Sequence, residues 1–300
     1  MQARHHCTDE QWLKTSAGNP RGFIDPVGIK ELWIHTGTAC NLRCPDCFEH
    51  SAPGDHRLEM VTFDDVKPFI DEAVEIGIEQ FSFTGGEPFV SRDILPILDY
   101  ALEHRPCLVL TNGTLQAHFP DLFPMVEKPN KLSFRISLDF PDIGKHNALR
   151  GDGMFERALE TLSELYSAGF RVSVARRREE GEISVKVDAA YHPFFESVDL
   201  PIDTPIVSFP NLEKEGAPEI TETCMSTYHA SESCDRFMCA FSRMVIKKEG
   251  RMRVYACTLV DDHRHYDLGS SLKEAADVRV MLCHPRCYAC FFGGTSCSEL

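Results

Sequence analysis

Six strand-like runs alternate with helical patterns through residues 30–212, and this alternation restricts the chain's fold more than any other feature. The runs are 32–36, 80–84, 107–111, 132–138, 171–175 and 205–209. Between them, residues 63–76 place Val66, Phe69, Ile70, Ala73 and Val74 at a 3.6-residue period, which predicts an amphipathic helix. Residues 94–104, 115–126 and 154–168 follow the same logic, with Gly169 placed to end the last helix. A fifth helix over 188–197 is interrupted by Pro193. Alternating β and α units imply a parallel sheet with helices outside it. Six units are too few for an eight-stranded barrel, so the pattern leaves an open doubly wound sheet or an incomplete barrel.

The first unit ends in Cys40, Cys44 and Cys47, spaced C-x3-C-x2-C. A [4Fe-4S] cluster normally takes four thiolates, so three in one loop leave one iron open to another ligand. Zinc sites usually pair two C-x2-C or Cys/His arms, which is a different rhythm. The thirteen cysteines are an odd number, and the chain starts without an apolar signal core. No run approaches the ~18 apolar residues of a membrane span. These features lead us to expect a cytoplasmic protein whose clustered thiols bind metal or do chemistry. Acidic residues outnumber basic ones 46 to 31, for a net charge of −15. That balance argues against nucleic-acid binding, which needs a basic face. The basic knot at Arg176, Arg177 and Arg178 reads as a solvated strand end.

The run from Thr38 to Phe48 resembles the cluster loop of the radical S-adenosylmethionine (SAM) enzymes. The resemblance selects between the two folds: it implies a partial (β/α)6 TIM-type barrel with a small cysteine-rich C-terminal extension. It also implies a cluster whose open iron chelates SAM. After the second strand, Gly85-Gly86-Glu87 is similar to the family's GGE motif, which implies contact with the SAM amino group. Thr111-Asn112-Gly113 reads either as a plain β/α turn or as the turn frequent in relatives. Ser137 and Asp139 resemble the polar pair that faces SAM ribose and carboxylate, and Arg176 is a further candidate for the carboxylate. Relatives carry an aromatic residue before the third cysteine. Here that position is Asp46 and the aromatic, Phe48, follows Cys47, which makes Phe48 the expected adenine neighbour. The sixth strand lacks the family's glycine.

Eight cysteines lie in the last third: 224, 234, 239, 257, 283, 287, 290 and 297. Cys239 and Cys257 flank a predicted hairpin with Glu249-Gly250 at its turn. Cys287 and Cys290 form a C-x2-C pair. The arrangement resembles the SPASM and twitch extensions, which implies one auxiliary [4Fe-4S] cluster on Cys239, Cys257, Cys287 and Cys290. Cys297 is the first substitute, and Cys283, Cys234 and Cys224 leave room for a second auxiliary cluster. A structural zinc knot is the alternative. Cys7 reads as a free thiol, Cys107 as a core residue, and His263 and His265 as solvated.

The expected organisation is an irregular lead-in (1–29), the barrel (30–212) and the cysteine-rich unit (213–300). The lead-in is too short for the peptide-binding module of some relatives. The resemblance implies an enzyme that splits SAM with one electron, from a donor such as flavodoxin or ferredoxin, and abstracts a hydrogen atom. Extensions of this type imply a peptide or protein substrate. The alternatives are a small metabolite, or a non-catalytic iron–sulfur electron carrier. No acid or base residue is identified by the sequence.

Overall fold

The computed structural model describes residues 9–115, 120–212, 216–229, 234–293 and 298. Its main sheet uses β1 (Glu31–His35), β2 (Gln80–Thr84), β3 (Cys107–Thr111), β4 (Leu132–Ser137), β5 (Arg171–Arg177) and β6 (Ile206–Phe209). These six lie in sequential order, each parallel to the next. A doubly wound sheet reverses its strand order at a switch point; this one does not, so it is the incomplete barrel. Beyond β1 the sheet continues with β7 (Ser242–Lys248), parallel to β1, and then β8 (Arg251–Tyr255), antiparallel to β7. The predicted hairpin therefore extends the barrel sheet at its first strand. Its turn residues Glu249 and Gly250 both have positive φ, 53° and 71°, as a tight two-residue hairpin turn requires.

Helices α1 (Phe63–Ile76), α2 (Ile94–His104) and α4 (Met154–Ser167) form where the periodicity predicted. The α1 start is fixed by a capping box, in which Asp65 N donates to Thr62 Oγ1 and Thr62 N to Asp65 Oδ2. Asp65 also pairs with Lys247 at 2.7 Å, pinning α1 to β7. Gly169 takes the positive φ expected of a helix stop.

Three expectations change. The helix over 115–126 falls partly on undescribed residues 116–119, and its described part is a 3-10 turn at Phe123–Glu127, where Pro124 limits α-helical bonding. The region 188–197 splits into α5 (Ser184–Ala189) and α6 (His192–Glu196), with Pro193 in the first turn of α6. Helix α3 (Ile143–Arg150) was not foreseen: its mean hydropathy is low and only His146 is buried.

Two further elements serve the C-terminal part: α7 (Glu222–Tyr228) and α8 (Pro285–Gly293). Strands β1 and β2 are buried along their whole length, because helices or chain cover both faces. Among the described residues, no helix is long and apolar enough to cross a membrane.

Candidate metal centre and active site

The loop after β1 carries Cys40, Cys44 and Cys47, and its stem is clamped by the turn after β2. Gly86 N donates to Gly37 O at 2.9 Å and Glu87 N to Ala39 O at 3.0 Å. A Cβ on Gly86 would stand 2.4 Å from Ala39 O, and one on Gly85 would stand 2.6 Å from Thr36 Oγ1. The two glycines are thus required first by the close approach of the cysteine loop.

Cys40 is buried, and burial pushes its thiol pKa up to about 11. Burial also raises Cys44, opposed by the Arg150 guanidinium. Leu42 N donates to Cys40 Sγ at 3.4 Å, and Asn112 Nδ2 lies 3.8 Å from the same sulfur. Asn112 Nδ2 also donates to Asn41 Oδ1 at 2.9 Å, and Thr114 Oγ1 donates to Asn112 Oδ1 at 2.6 Å. The turn after β3 therefore braces the first cysteine, a role the sequence did not reveal.

Glu87, expected at the SAM amino group, is fully buried. Its carboxylate accepts from Asn112 N at 2.7 Å, Thr111 Oγ1 at 2.7 Å and Phe89 N at 3.2 Å. Burial raises its pKa against those bonds. Gly85, Gly86 and Thr111, but not Glu87, border the neighbouring cavity.

Asp139 is also buried, and it receives two guanidinium groups, Arg150 and Arg177. Burial raises a carboxyl pKa, but Arg150 and then Arg177 outweigh it and hold Asp139 below its ordinary value. Arg177 continues to the cysteine loop, donating to Asp46 O at 2.9 Å. Asp46, in the place of the usual aromatic residue, thus joins the loop to β5. Arg176 is enclosed and pairs with Glu182 and Asp188, each at 2.6 Å. Arg176 and Arg177 are therefore not a solvated strand end; each is held by carboxylates. Ser137 and Phe48 both border the cavity, and Phe48 remains 37% exposed.

The cavity of about 640 Å³ runs from the first cysteine loop to Cys239, Cys257, Cys287 and Cys290. Cys239, Cys257 and Cys287 are close enough for the charges of the latter two to act on Cys239. Tyr266 Oη lies 3.7 Å from Cys287 Sγ. Cys283 is half-buried near this group, while Cys224 and Cys234 do not border the cavity. Cys297 and Cys7 lie outside the described residues. Among the described residues, no three Cys, His, Asp or Glu side chains gather tightly around a single-ion position. A cubane needs a looser array, because each thiolate binds its own iron. Thiol donors bordering one cavity suit soft-metal ligation.

Cys107 is a core residue, 1% exposed. His263 and His265 are half-buried rather than fully solvated: both rings pack on Trp12, with centroids 5.7 and 5.2 Å away.

A family model described as the Radical SAM superfamily matches residues 34–176. Mycofactocin maturase MftC of Mycolicibacterium smegmatis is 32% identical over 163 residues, covering 53% of this chain and 40% of the relative. The AdoMet-dependent heme synthase of Methanosarcina barkeri is 32% identical over 168 residues, covering 52% and 47%. The chain spans half or less of the length of these curated relatives. Among solved structures, Streptococcus suis SuiB bound to S-adenosylmethionine matches with a TM-score of 0.59 at 16% identity, over 81% of this chain and 63% of that one. SuiB bound to precursor peptide SuiA matches with a TM-score of 0.57 at 14% identity, over 81% and 62%. At these identities SuiB supports the fold. Residues 34–176, which hold the cysteine loop and the Gly85-Gly86-Glu87 turn, thus match the Radical SAM superfamily.

Proposed function

We propose that the protein is a radical SAM enzyme that acts on a peptide or protein. The observation that carries this reading is the single cavity bordered by Cys40, Cys44, Cys47, Gly85 and Gly86 at one side and by Cys239, Cys257, Cys287 and Cys290 at the other. The first three thiolates would hold a [4Fe-4S] cluster with an open iron, and the second set an auxiliary cluster in the unit 213–300. When bound, cluster and SAM supply reductive SAM cleavage and the radical that abstracts hydrogen.

The chain's own residues bind and position. The Gly85-Gly86 turn fixes the stem of the cysteine loop and leaves backbone facing the cavity. Ser137 offers a hydroxyl there. Arg150 brings positive charge to Cys44, which opposes the upward push of burial on that thiol. Glu87 acts through the β3 turn, since its oxygens are taken by Thr111, Asn112 and Phe89. Asp139 orients Arg150 and Arg177 in the same way. The first electron comes from an external donor of the flavodoxin or ferredoxin class, in the cytoplasm.

The peptide reading is supported by the two cysteine groups facing one cavity and by SuiB, a neighbour in fold that was solved with a precursor peptide. A small metabolite is the second reading, favoured by the similarity to a heme synthase. The test is spectroscopic. The reduced, anaerobically reconstituted protein should change its electron paramagnetic resonance signal when SAM is added. An unchanged signal at saturating SAM would move the assignment to an electron carrier.

A further inference from the structure

Among the described residues, Arg243 is a buried cation with no carboxylate partner. It sits on β7, four residues after Cys239, and is 1% exposed. Nε donates to Ala275 O at 3.0 Å, Nη1 to Cys239 O at 2.9 Å and Ser242 O at 2.7 Å, and Nη2 to Val278 O at 3.0 Å. Every partner is a neutral carbonyl. Arg21 and Arg176, which are also buried, each pair with a carboxylate. An enclosed charge without a counter-ion is costly, so native proteins normally supply one.

The anionic groups acting on Arg243 are, in order, the Cys239 thiol, the Cys257 thiol and Asp277. Asp277 makes no ion pair with it, and the two sulfurs belong to the second cysteine group. A guanidinium stays protonated in proteins at neutral pH, so Arg243 carries its charge. Four carbonyls hold the group rigidly; it has no freedom to leave for solvent.

We propose that Arg243 is the fixed counter-ion of a thiolate-held iron–sulfur cluster at Cys239, Cys257 and Cys287, and that its charge makes this cluster easier to reduce. The proposal rests on the auxiliary cluster inferred above. Reduction adds one electron from an external one-electron reductant; no bond forms or breaks, and the cluster with its thiolates gains one negative charge. A rigid positive charge beside it stabilises the more negative form, and the effect is strong because little solvent screens it. Arg243 is thus a positioning and charge-setting residue rather than a ligand.

The test uses the full chain carrying Cys40→Ala, Cys44→Ala and Cys47→Ala, so that any remaining cluster belongs to the second group. After anaerobic reconstitution, iron and sulfide are counted and the reduction midpoint is read by redox titration. In this background Arg243→Gln should lower the equilibrium constant for reduction about tenfold or more, or about 59 mV for one electron. Arg243→Lys keeps the charge and should stay within about threefold of the parent. A cluster that is present but unmoved by Arg243→Gln would overturn the role of Arg243 and leave the auxiliary cluster standing. No iron or sulfide in the parent would overturn the auxiliary cluster itself. Where Arg243→Gln does not fold, Arg243→Lys decides: a midpoint near the parent despite lower thermal stability supports the charge effect, and a tenfold loss contradicts it.

Discussion

Arg286 Nη2 donates to the Phe48 carbonyl oxygen at 3.1 Å. Phe48 follows Cys47, and Arg286 precedes Cys287. The same guanidinium donates from Nη1 to Leu259 O at 3.1 Å, two residues beyond Cys257. One side chain therefore ties the first cysteine loop to both halves of the second cysteine group. Arg286→Ala leaves two carbonyls without this donor, at a cost of roughly 1–3 kcal/mol each where they stay buried. Urea denaturation of the apo protein should show about 2–4 kcal/mol lost. A loss below ~0.5 kcal/mol would show that the tie is dispensable.

Gly86→Ala tests why the GGE glycines are there. The added methyl would stand 2.4 Å from Ala39 O, a backbone atom in the stem of the cysteine loop. The loop has to move, so iron content after reconstitution should fall by more than half and the melting temperature with it. Gly54→Ala is the control: its Cβ meets nothing within 4 Å, so its only cost is the positive φ of 77°, about 1 kcal/mol. Equal iron content in the two variants would refute the packing explanation.

Glu87→Gln separates bracing from ligand binding. An amide cannot accept at both ends, so one of the donors at Asn112 N, Thr111 Oγ1 or Phe89 N loses its partner. Apo stability should drop by roughly 1–3 kcal/mol without SAM or cluster. Unchanged apo stability, with a weakened response to SAM, would restore the simpler reading of Glu87 as an ammonium acceptor.

Asp139 sets a pH dependence. Arg150 and Arg177 hold its folded pKa below the unfolded value of about 3.9. Its contribution is therefore present above about pH 4 and lost as pH falls through the lower folded value. Asp139→Asn breaks a buried pair and should cost about 3–5 kcal/mol at pH 7. The gap between variant and parent should narrow steadily below about pH 4 in denaturation curves. A gap independent of pH would show that Asp139 is not ionised in the fold.

The barrel was largely legible from the sequence. Hydrophobic periodicity marks β2, β3, α1 and α2 at their observed bounds, because these elements bury a continuous face. Helix α3 escaped because its apolar stripe is nearly absent, and its value lies in one residue, Arg150, that faces the site. The cysteines stand out because metal ligation needs that residue type at short spacing. The residues that brace them do not: Asn112, Arg177 and Arg286 reach across 38 or more positions, as in the Asn112–Cys40, Arg177–Asp139 and Arg286–Phe48 contacts, so spacing says nothing about them. Motif residues carry contacts within the protein that the motif does not disclose. Glu87 and Asp139 stand where a motif puts ligand contacts, and their oxygens also accept from protein donors, which only packing shows.

The measurement that tests the central claim most directly is 5′-deoxyadenosine formation. Anaerobically reconstituted protein with SAM and a strong one-electron reductant is compared with the Cys40→Ala/Cys44→Ala/Cys47→Ala variant, each quantified for iron and sulfide. The account predicts product from the wild type and none from the variant, while the variant keeps the iron and sulfide of the second group. Equal product from both proteins, or none from a wild type with full clusters and saturating SAM, would contradict it.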